Sequence, residues 1–322
     1  MMVRAHYLLS LLIMKLSVII PCYNAESTLA GQLESLAGQQ FPSPWEVIIA
    51  DNGSTDNTIS VAQSFHGSLP QLKIIRADER RGAAHARNRG ARAALSEYLA
   101  FCDADDAVGE GYLQTVFEAL TRHEFIACRY EFKKLNHRWI SRLSGAQETD
   151  LDRGLMGPFA YAGGGSIAVR KSVHDSVGGF DEDNFQILQD TDYCIRLQRS
   201  GVPLHFVPEA VVHYRWRTTA WGAFSQARSW GRDCVGIRAR HWPMKGPPDS
   251  PRSLLRHFLR MPHLRSTEQL AAWIWAIGWK IGSIEGWRLH LQSKQEAIST
   301  HTEPTPESAS GKVRNHTSPP AS

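Results

Sequence analysis

The chain has 322 residues, of which 42% are hydrophobic and 21% are charged, and its formal net charge is +4. These values are ordinary for a globular protein with one large domain and an appendage, and the charge alone does not imply nucleic-acid binding. The five cysteines are odd in number, scattered and without metal-site spacing, which favours reduced thiols and a cytoplasmic location.

Residues 1–14 are predicted to be an N-terminal extension. The apolar stretch from Tyr7 to Met14 is short, and no small-residue cleavage site follows it before Leu16 begins the first core strand. Secretion is not expected, because cleavage at this point would damage the fold. A frayed extension and a true start at Met14 are the two remaining explanations.

Apolar strands and amphipathic helices alternate from Leu16 onward. Asn24 is predicted to cap the first helix. The pattern predicts an α/β fold, a mostly parallel sheet sandwiched by helices, with a C-terminal helical extension. The carboxyl ends of parallel strands meet at one edge of a sheet, where ligands bind. Three polar segments should therefore converge there: 21–24, 51–54 and 103–106.

The pattern becomes mixed after about residue 150. A glycine-rich strand over 162–170 and a short helix are predicted before the turn at 178–180. A second helix is predicted to start near Asp190 and to end at Ser200 and Gly201. Residues 203–214 are predicted to form one or two strands.

The chain becomes basic and rich in tryptophan beyond this point. Between Arg215 and Arg265 there are ten arginines and one lysine but only two aspartates. We predict a helical extension over 216–298 and a disordered tail over 299–322. A helical lid or subunit contact, an acceptor-binding surface and peripheral contact with the inner face of a membrane are the alternatives for the extension. No nucleic-acid-reading module is recognisable, so nucleic acid is not an expected partner.

The strongest local motif is Phe101–Asp106, which has three carboxylates in four residues directly after an apolar strand. Such carboxylates repel one another unless a cation lies among them. Mg²⁺ and Mn²⁺ prefer carboxylate oxygens, commonly together with substrate phosphates. The motif therefore predicts a divalent metal site, and a solvated acidic turn is the alternative.

Two further segments suit a nucleotide. Asp51 can accept hydrogen bonds from a base or from ribose hydroxyls, and Gly53 permits a turn where a ligand comes close. After Gly82, small residues allow close approach of a helix and a ligand, and Arg87 is placed to meet phosphate or an acidic loop. An ordinary turn and an ordinary helix with exposed arginines are the alternatives.

Together these motifs resemble the family 2 glycosyltransferases, which have the GT-A fold. The resemblance covers roughly residues 15–215, the predicted glycosyltransferase domain. It depends on four matching pieces in the family's order: Ser17–Asn24, Asp51–Asp56, Gly82–Gly90 and Asp103–Asp106. It implies an inverting enzyme that takes a nucleotide-diphosphate sugar as its donor and a divalent metal, Mg²⁺ or Mn²⁺, as its cofactor.

The resemblance assigns a role to each matching position. Asp51 would contact the base, Asp103 would lie by the ribose and the metal, and Asp105 would be the main metal ligand. Gly164 and Gly165 match the family segment beneath the donor sugar and the acceptor. The predicted donor-binding residues are Pro21, Tyr23, Asn24, Asp51, Ser54, Gly82, Arg87, Asp103, Gly164 and Gly165.

The resemblance also implies a catalytic base. The family usually has Glu-Asp where this chain has Gln189 and Asp190, and the aspartate of that pair is the base. The glutamine changes the local charge but leaves the base in place. Asp192 is the competing candidate, and its structural role would be an ion pair with Arg196 four residues later on the helix. His213 matches a position where some relatives supply a metal-binding histidine.

These assignments predict a single displacement with inversion. Asp190 would accept the proton of an acceptor hydroxyl, while a metal on Asp105 stabilises the departing diphosphate. The acceptor would be a glycan, a lipid-linked sugar or a small molecule, in cell-envelope polysaccharide synthesis. A sugar-nucleotide pyrophosphorylase would need a triphosphate-binding loop where the chain has Pro21–Asn24. A catalytically silent nucleotide-sugar-binding or scaffold protein is the alternative that remains.

Overall fold

An eight-stranded sheet organises the protein. This computed structural model describes residues 14–69, 71–136, 146–154, 157–217, 219–244, 246–247, 249–259 and 266–302. The described strands are β1 (Leu16–Cys22), β2 (Trp45–Asp51), β3 (Leu72–Arg76), β4 (Tyr98–Phe101), β5 (Ala107–Val108), β6 (Phe125–Glu131), β7 (Asp152–Gly154), β8 (Gly157–Tyr161), β9 (Ile167–Arg170) and β10 (His205–His213). The large sheet has the order β3-β2-β1-β4-β9-β6-β10-β5, and β7 pairs with β8 separately.

Helices cover both faces of the large sheet, as predicted. Val18 and Ile20 belong to one hydrophobic cluster and Ile19 to another, because successive side chains of a strand point to opposite faces. The described helices are α1 (Leu29–Ala37), α2 (Thr58–Ser64), α3 (Ala83–Ala93), α4 (Tyr112–Arg122), α5 (Lys171–Ser176), α6 (Gln189–Arg199), α7 (Ala220–His241), α8 (Pro251–Phe258) and α9 (Thr267–Thr302), with a 3₁₀ turn at Ala146–Glu148.

The strand β1 lies between β2 and β4 and is parallel to both. Ile19 lies opposite Ile48 on one side and opposite Phe101 on the other. All seven residues of β2 are buried, which fits a strand covered on both faces. The parallel pairing brings the ends of these three strands to one edge of the sheet. The predicted convergence of 21–24, 51–54 and 103–106 is therefore confirmed.

Asn24 does not cap α1, so that prediction was wrong. The helix begins at Leu29 with Thr28 at its N-cap position. Asn24 has a positive φ of 48°, and its Oδ1 accepts the backbone N–H of Thr55 at 2.8 Å. Its side chain therefore joins the end of β1 to the loop after β2, and this longer-range hydrogen bond replaces the local cap.

The predicted glycine-rich strand is shorter than expected, since β9 begins only at Ile167. It is antiparallel to both of its neighbours: Val169 lies opposite Leu99 of β4 and opposite Phe125 of β6. Residues 162–166 instead form the loop that precedes the strand. Residues 203–214 contribute one strand, β10, whose register shifts between Val207 and Val211.

Two long helices dominate the C-terminal region. The helices α7 and α9 run parallel, because Gly278, Gly282 and Gly286 of α9 face successively later backbone carbonyls of α7. Glycines four residues apart lie on one face of a helix and allow two backbones to come close.

None of the described helices has a run long and apolar enough to cross a bilayer. The domain boundary at 215/216 stays a prediction. The predicted start of the disordered tail at residue 299 was wrong, because α9 continues to Thr302. Residues 1–13 of the predicted N-terminal extension and 303–322 of the predicted tail lie outside the described residues.

Substituting Gly282 with alanine is expected to destabilise the protein. A Cβ at this position would overlap the carbonyl oxygen of Arg228 on α7, so the two helices must separate. We expect the free energy of unfolding to fall by about 2 kcal/mol, measured by urea denaturation. Gly31→Ala is the matched control, because Gly31 is exposed on α1 with nothing within 4 Å of its Cβ position. That control should gain about 0.5–1 kcal/mol, and equal losses in both variants would contradict the close helix contact.

Candidate active site

A cleft of about 1150 Å³ opens at the edge of the sheet where β1 and β4 end. Several of the residues predicted from the sequence line it together: Pro21, Tyr23, Asn24, Arg87, Asp103, Asp105, Gly164 and Asp190. The other predicted residues are outside this lining: Asp51, Ser54, Gly82, Gly165 and His213. The structure therefore joins the acidic cluster and the predicted base in one cavity, although they are far apart in sequence.

Asp103, Asp105 and Asp106 form an acidic cluster directly after β4. Each offers a carboxylate oxygen, and these oxygens lie within 4.8 Å of one another. Burial, followed by the charge of Asp103, raises the pKa of Asp105, and burial raises the pKa of Asp106 well above its ordinary value. Asp106 Oδ1 accepts the N–H of Arg215, but its buried Oδ2 has no hydrogen-bond partner among the described residues. This all-oxygen set fits a hard divalent cation.

Arg87 places a buried positive charge beside the acidic cluster. Its Nη2 donates to Asp103 Oδ1 at 2.6 Å, and the residue is only 4% exposed. Burial opposes the charged form of Arg87, but the nearby Asp103 and Asp190 outweigh it and raise the pKa. Nε and Nη1 of Arg87 are buried without a partner in the described part of the chain. The guanidinium therefore keeps unused donors next to the cleft.

The glycines before β9 allow backbone and charged side chains to approach closely. A Cβ on Gly164 would lie 2.7 Å from Cζ of Arg87, and a Cβ on Gly165 would lie 2.6 Å from Cγ of Asp103. A larger residue at either position would displace the ion pair that Arg87 and Asp103 form. Gly165 thus acts on the cleft through Asp103, although it is not part of the lining.

Asp190 lies in the first turn of α6, on the cleft wall. Its Oδ2 accepts the N–H of Gly164 at 2.8 Å, and its Oδ1 accepts the N–H of Thr191 at 2.7 Å. Burial raises the pKa of this carboxyl group. A fixed carboxylate with an elevated pKa, in a cleft, has the character of a general base.

Asp192 is held away from the cleft by two arginines and a histidine. It is fully buried, and its carboxylate meets Arg196 at 2.7 Å, His241 at 2.9 Å and Arg240 at 3.3 Å. The predicted ion pair with Arg196 is confirmed. Because Arg240 and His241 belong to α7, Asp192 ties the C-terminal region to α6. It does not line the cleft, whereas Asp190, the other candidate base, does.

Hydrogen bonds between loops hold the predicted nucleotide side of the site. Asp51 accepts the N–H groups of Gly53 at 3.2 Å and of Ser54 at 3.3 Å. Ser54 Oγ in turn accepts the N–H of Asn24 at 3.0 Å. Tyr23 is 46% exposed in the cleft, which suits a planar ligand group. The predicted contact of Asp51 with a base stays a prediction.

Asn52 organises this side of the site, and the sequence indicated only that it was part of a turn. Its Oδ1 accepts the N–H of Gly82 at 2.8 Å, and its Nδ2 donates to the carbonyls of Ala77 and Arg80. The side chain is 7% exposed. Asn52 therefore fixes the segment before α3, and Gly82 contributes through this backbone hydrogen bond.

His213 lies at the end of β10 and pairs with Glu131. Its Nδ1 and Glu131 Oε2 are 2.8 Å apart. The group of candidate metal ligands among the described residues contains the three aspartates and does not include His213. Its role as a metal ligand stays a prediction.

An aromatic wall faces the acidic side of the cleft, and the sequence did not assign it. Its members come from segments that are far apart in the chain: Tyr214, Trp216, Trp230, Trp275 and Trp279. The sequence shows that tryptophan is abundant in this region, but the direction in which the side chains point depends on how α7 and α9 pack. The buried indole N–H groups of Trp216 and Trp230 have no partner among the described residues. This wall therefore combines apolar surface with unused donors.

Two family models match the chain. The model described as glycosyl transferase family 2 matches residues 17–178, and the one described as glycosyl transferase family group 2 matches residues 98–291. The uncharacterized glycosyltransferase YfnE of Bacillus subtilis is 34% identical over 187 residues, which are 58% of this chain and 46% of YfnE. An uncharacterized glycosyltransferase of Haemophilus influenzae is 30% identical over 56% of this chain and 61% of its own. The chain thus spans roughly half the length of these two relatives.

Solved structures show the same fold. The mannosyltransferase PcManGT from Pyrobaculum calidifontis, in complex with GDP-Man and Mn²⁺, has a TM-score of 0.54 and 21% identity. The match covers 89% of this chain and 81% of PcManGT. Residues 1–349 of S. aureus TarS, in complex with UDP-GlcNAc, match with a TM-score of 0.55 and 18% identity over 72% of this chain and 68% of that one.

Proposed function

The chain belongs to glycosyl transferase family 2, and from this membership we propose that it transfers a sugar from a nucleotide-diphosphate sugar to an acceptor hydroxyl. The proposal depends on one observation: the acidic cluster and the separate carboxylate of Asp190 lie in the same cleft. The complexes of TarS with UDP-GlcNAc and of PcManGT with GDP-Man support this class of donor.

Asp103 and Asp105 would hold a divalent cation, Mg²⁺ or Mn²⁺, with Asp106 close behind them. A cation bound there would supply Lewis-acid stabilisation of the departing diphosphate. The unpartnered Nε and Nη1 of Arg87 would donate to oxygens of the donor. The Mn²⁺ in the PcManGT complex supports the choice of metal.

The donor's nucleotide would lie at the ends of β1 and β2. Pro21, Tyr23 and Asn24 line this side of the cleft, and Tyr23 presents an exposed ring for stacking on a base. Asp51 would accept hydrogen bonds from the base, and Ser54 holds the backbone of Asn24 in place. The sugar would then lie toward Gly164, on the side of Asp190.

Asp190 would accept the proton of the acceptor hydroxyl while the oxygen forms its bond to the anomeric carbon. The bond from that carbon to the nucleoside diphosphate breaks in the same step, so the configuration inverts. Gly164 and Thr191 fix the orientation of the carboxylate through their N–H groups. Gln189, which replaces the family's usual glutamate, leaves Asp190 with one fewer negative neighbour.

The acceptor is proposed to be a carbohydrate of the cell envelope. TarS of Staphylococcus aureus is named a poly(ribitol-phosphate) beta-N-acetylglucosaminyltransferase, and it is 31% identical to this chain over 129 residues. TuaG of Bacillus subtilis is named a putative teichuronic acid biosynthesis glycosyltransferase and is 26% identical over 208 residues. The aromatic wall suits a sugar ring, whose C–H faces pack on indole surfaces while its hydroxyls accept from indole N–H groups.

Donor binding and hydrolysis in the presence of Mn²⁺, Mg²⁺ or EDTA test the proposal. We expect UDP-GlcNAc, GDP-mannose or a related nucleotide sugar to bind with a metal present, and EDTA to weaken binding at least about tenfold. Isothermal titration calorimetry measures binding, and release of nucleoside diphosphate measures hydrolysis. Absence of binding across the donor panel with both metals would overturn the transferase assignment. Tight binding without hydrolysis or transfer to any acceptor would favour the silent binding protein.

A further inference from the structure

One end of the C-terminal helices exposes large apolar side chains. We call this surface the apolar end patch, and its residues with their exposed fractions are Trp221 (72%), Leu255 (61%), Phe258 (44%), Leu259 (66%) and Leu270 (42%). They are five of the nine large hydrophobic residues that are exposed in the described part of the chain. Apolar side chains that gather on one surface commonly mark an interaction site.

Helix packing brings these residues to the same end. Gly278 of α9 faces the backbone of Phe224 on α7, and the two helices run parallel. Trp221, three residues before Phe224, therefore lies at the end of the pair where α9 begins. Leu270 is in the first turn of α9, at that same end.

The helix α8 is fixed to this end of α9. The ring of Phe258 packs edge-on against Trp273 at 5.8 Å, and the indole Nε1 of Trp273 donates to the carbonyl of His257 at 3.0 Å. At the start of α8, Lys280 Nζ binds Asp249 Oδ1 at 2.7 Å. These contacts hold α8 in place without burying any of its side chains.

The exposed surface of α8 is apolar and basic. Leu255 lies in α8 and Leu259 is the C-cap residue with helical backbone angles, so the two leucines, four residues apart, lie on the same side of the helix. Arg252 and Arg256 have the same spacing beside them, and both are exposed. Asp249, three residues before Arg252, forms an ion pair with Lys280. The patch therefore presents leucines and a phenylalanine beside two exposed arginines.

We propose that the apolar end patch docks on the surface of an anionic lipid bilayer. A helix with exposed leucines and flanking arginines buries its apolar side at the headgroup boundary while the arginines meet anionic headgroups. Tryptophan is enriched at the same depth, which suits Trp221. A protein partner would need acidic groups to match the arginines, and a second copy of this basic region would repel them.

Docking would also bring the cleft close to the membrane, a consequence that depends on the proposed function. The helix α9 carries both Leu270 in the patch and Trp279 in the cleft wall. Nine residues of α-helix correspond to roughly 14 Å, so the aromatic wall would lie within reach of a lipid-linked acceptor at the bilayer surface. The docking itself needs no transferase activity.

Vesicle cosedimentation with the full chain tests this surface. We expect binding to vesicles of phosphatidylcholine with phosphatidylglycerol and much weaker binding to phosphatidylcholine alone. Leu255→Ser with Leu259→Ser should lower the partition coefficient at least about tenfold. Arg252→Gln with Arg256→Gln should lower it about tenfold at low salt, and high salt should do the same to the wild type. Leu95→Ser is the matched control, because Leu95 is 63% exposed but far away in the chain, before β4; its binding should be unchanged.

Three results would overturn the docking. The first is that the wild type does not bind anionic vesicles. The second is that the Leu95 control loses as much vesicle binding as the double leucine variant. The third is that the protein forms a dimer in solution and the leucine substitutions dissociate it. Circular dichroism confirms that each variant is folded. Hydrolysis of the donor without vesicles should be unchanged in the patch variants, because these residues do not line the cleft. Failure of the docking and failure of the transferase function are therefore seen in separate assays.

Discussion

Asp190→Asn is expected to lower kcat for sugar transfer about 10³-fold while the Kd for the donor changes by less than about threefold. The amide has the size of the carboxylate and still accepts one of the two N–H groups that Asp190 receives, from Gly164 and Thr191. It cannot accept the acceptor's proton. Initial transfer rates and calorimetric titration of the donor with Mn²⁺ measure the two quantities.

The same carboxylate should set the acid limit of the reaction. The base works only when ionised, and burial raises the pKa of Asp190 above the ordinary aspartate value of 3.8. As the pH falls through this raised pKa, Asp190 gains a proton and kcat/KM should decline. The decline should be absent from the residual activity of Asp190→Asn. An acid limit at or below the ordinary aspartate pKa would contradict the assignment.

Asp192→Asn is the matched control for this variant. Both aspartates lie in the first turn of α6, but Asp192 is fully buried against Arg196, Arg240 and His241. The control should lower the free energy of unfolding by about 2 kcal/mol, because it weakens the hydrogen bonds that a fully buried carboxylate accepts from Arg196, Arg240 and His241. Transfer per folded molecule should remain. Unchanged transfer in Asp190→Asn together with lost transfer in Asp192→Asn would move the base to Asp192.

The sheet and its acidic edge could be predicted because they depend on short-range patterns. Apolar runs such as 47–50 predict strands from short-range sequence alone, and a parallel sheet brings strand ends together. The acidic cluster is contiguous in sequence, so its convergence needs no long-range information. The same short-range reading placed Asp105 after β4 and predicted the helix that follows Gly82.

Other features depend on packing between distant segments. Arg240 and His241, which α7 brings from about fifty residues away, hold Asp192 outside the cleft lining, and the sequence alone leaves both Asp190 and Asp192 as candidate bases. Asn24 does not cap α1, and its side chain instead accepts a hydrogen bond from the loop after β2. The direction of the tryptophans depends on the close contact of α7 and α9, and the only sequence signal for that contact was the four-residue spacing of Gly278, Gly282 and Gly286.

Asp105→Asn is expected to weaken metal-dependent donor binding at least about tenfold, because it removes one of the carboxylates that would hold the cation. The donor Kd in Mn²⁺ and in EDTA should become nearly equal in this variant. Calorimetric titration measures both values. Asp150→Asn is the control, since Asp150 is exposed and its Oδ1 accepts the N–H of the next residue. Its metal dependence should match that of the wild type.

The stability of the metal-free chain should change in the opposite direction. Burial and the charge of Asp103 raise the pKa of Asp105 in the folded state, so the ionised carboxylate opposes folding at neutral pH. The neutral amide removes this cost, and the free energy of unfolding at pH 7 should rise. The difference should vanish below the ordinary aspartate pKa, where the carboxyl group is protonated in both states. A variant that loses stability without metal, yet keeps the full effect of Mn²⁺ on donor binding, would show that Asp105 is a structural carboxylate and that the cation is held elsewhere.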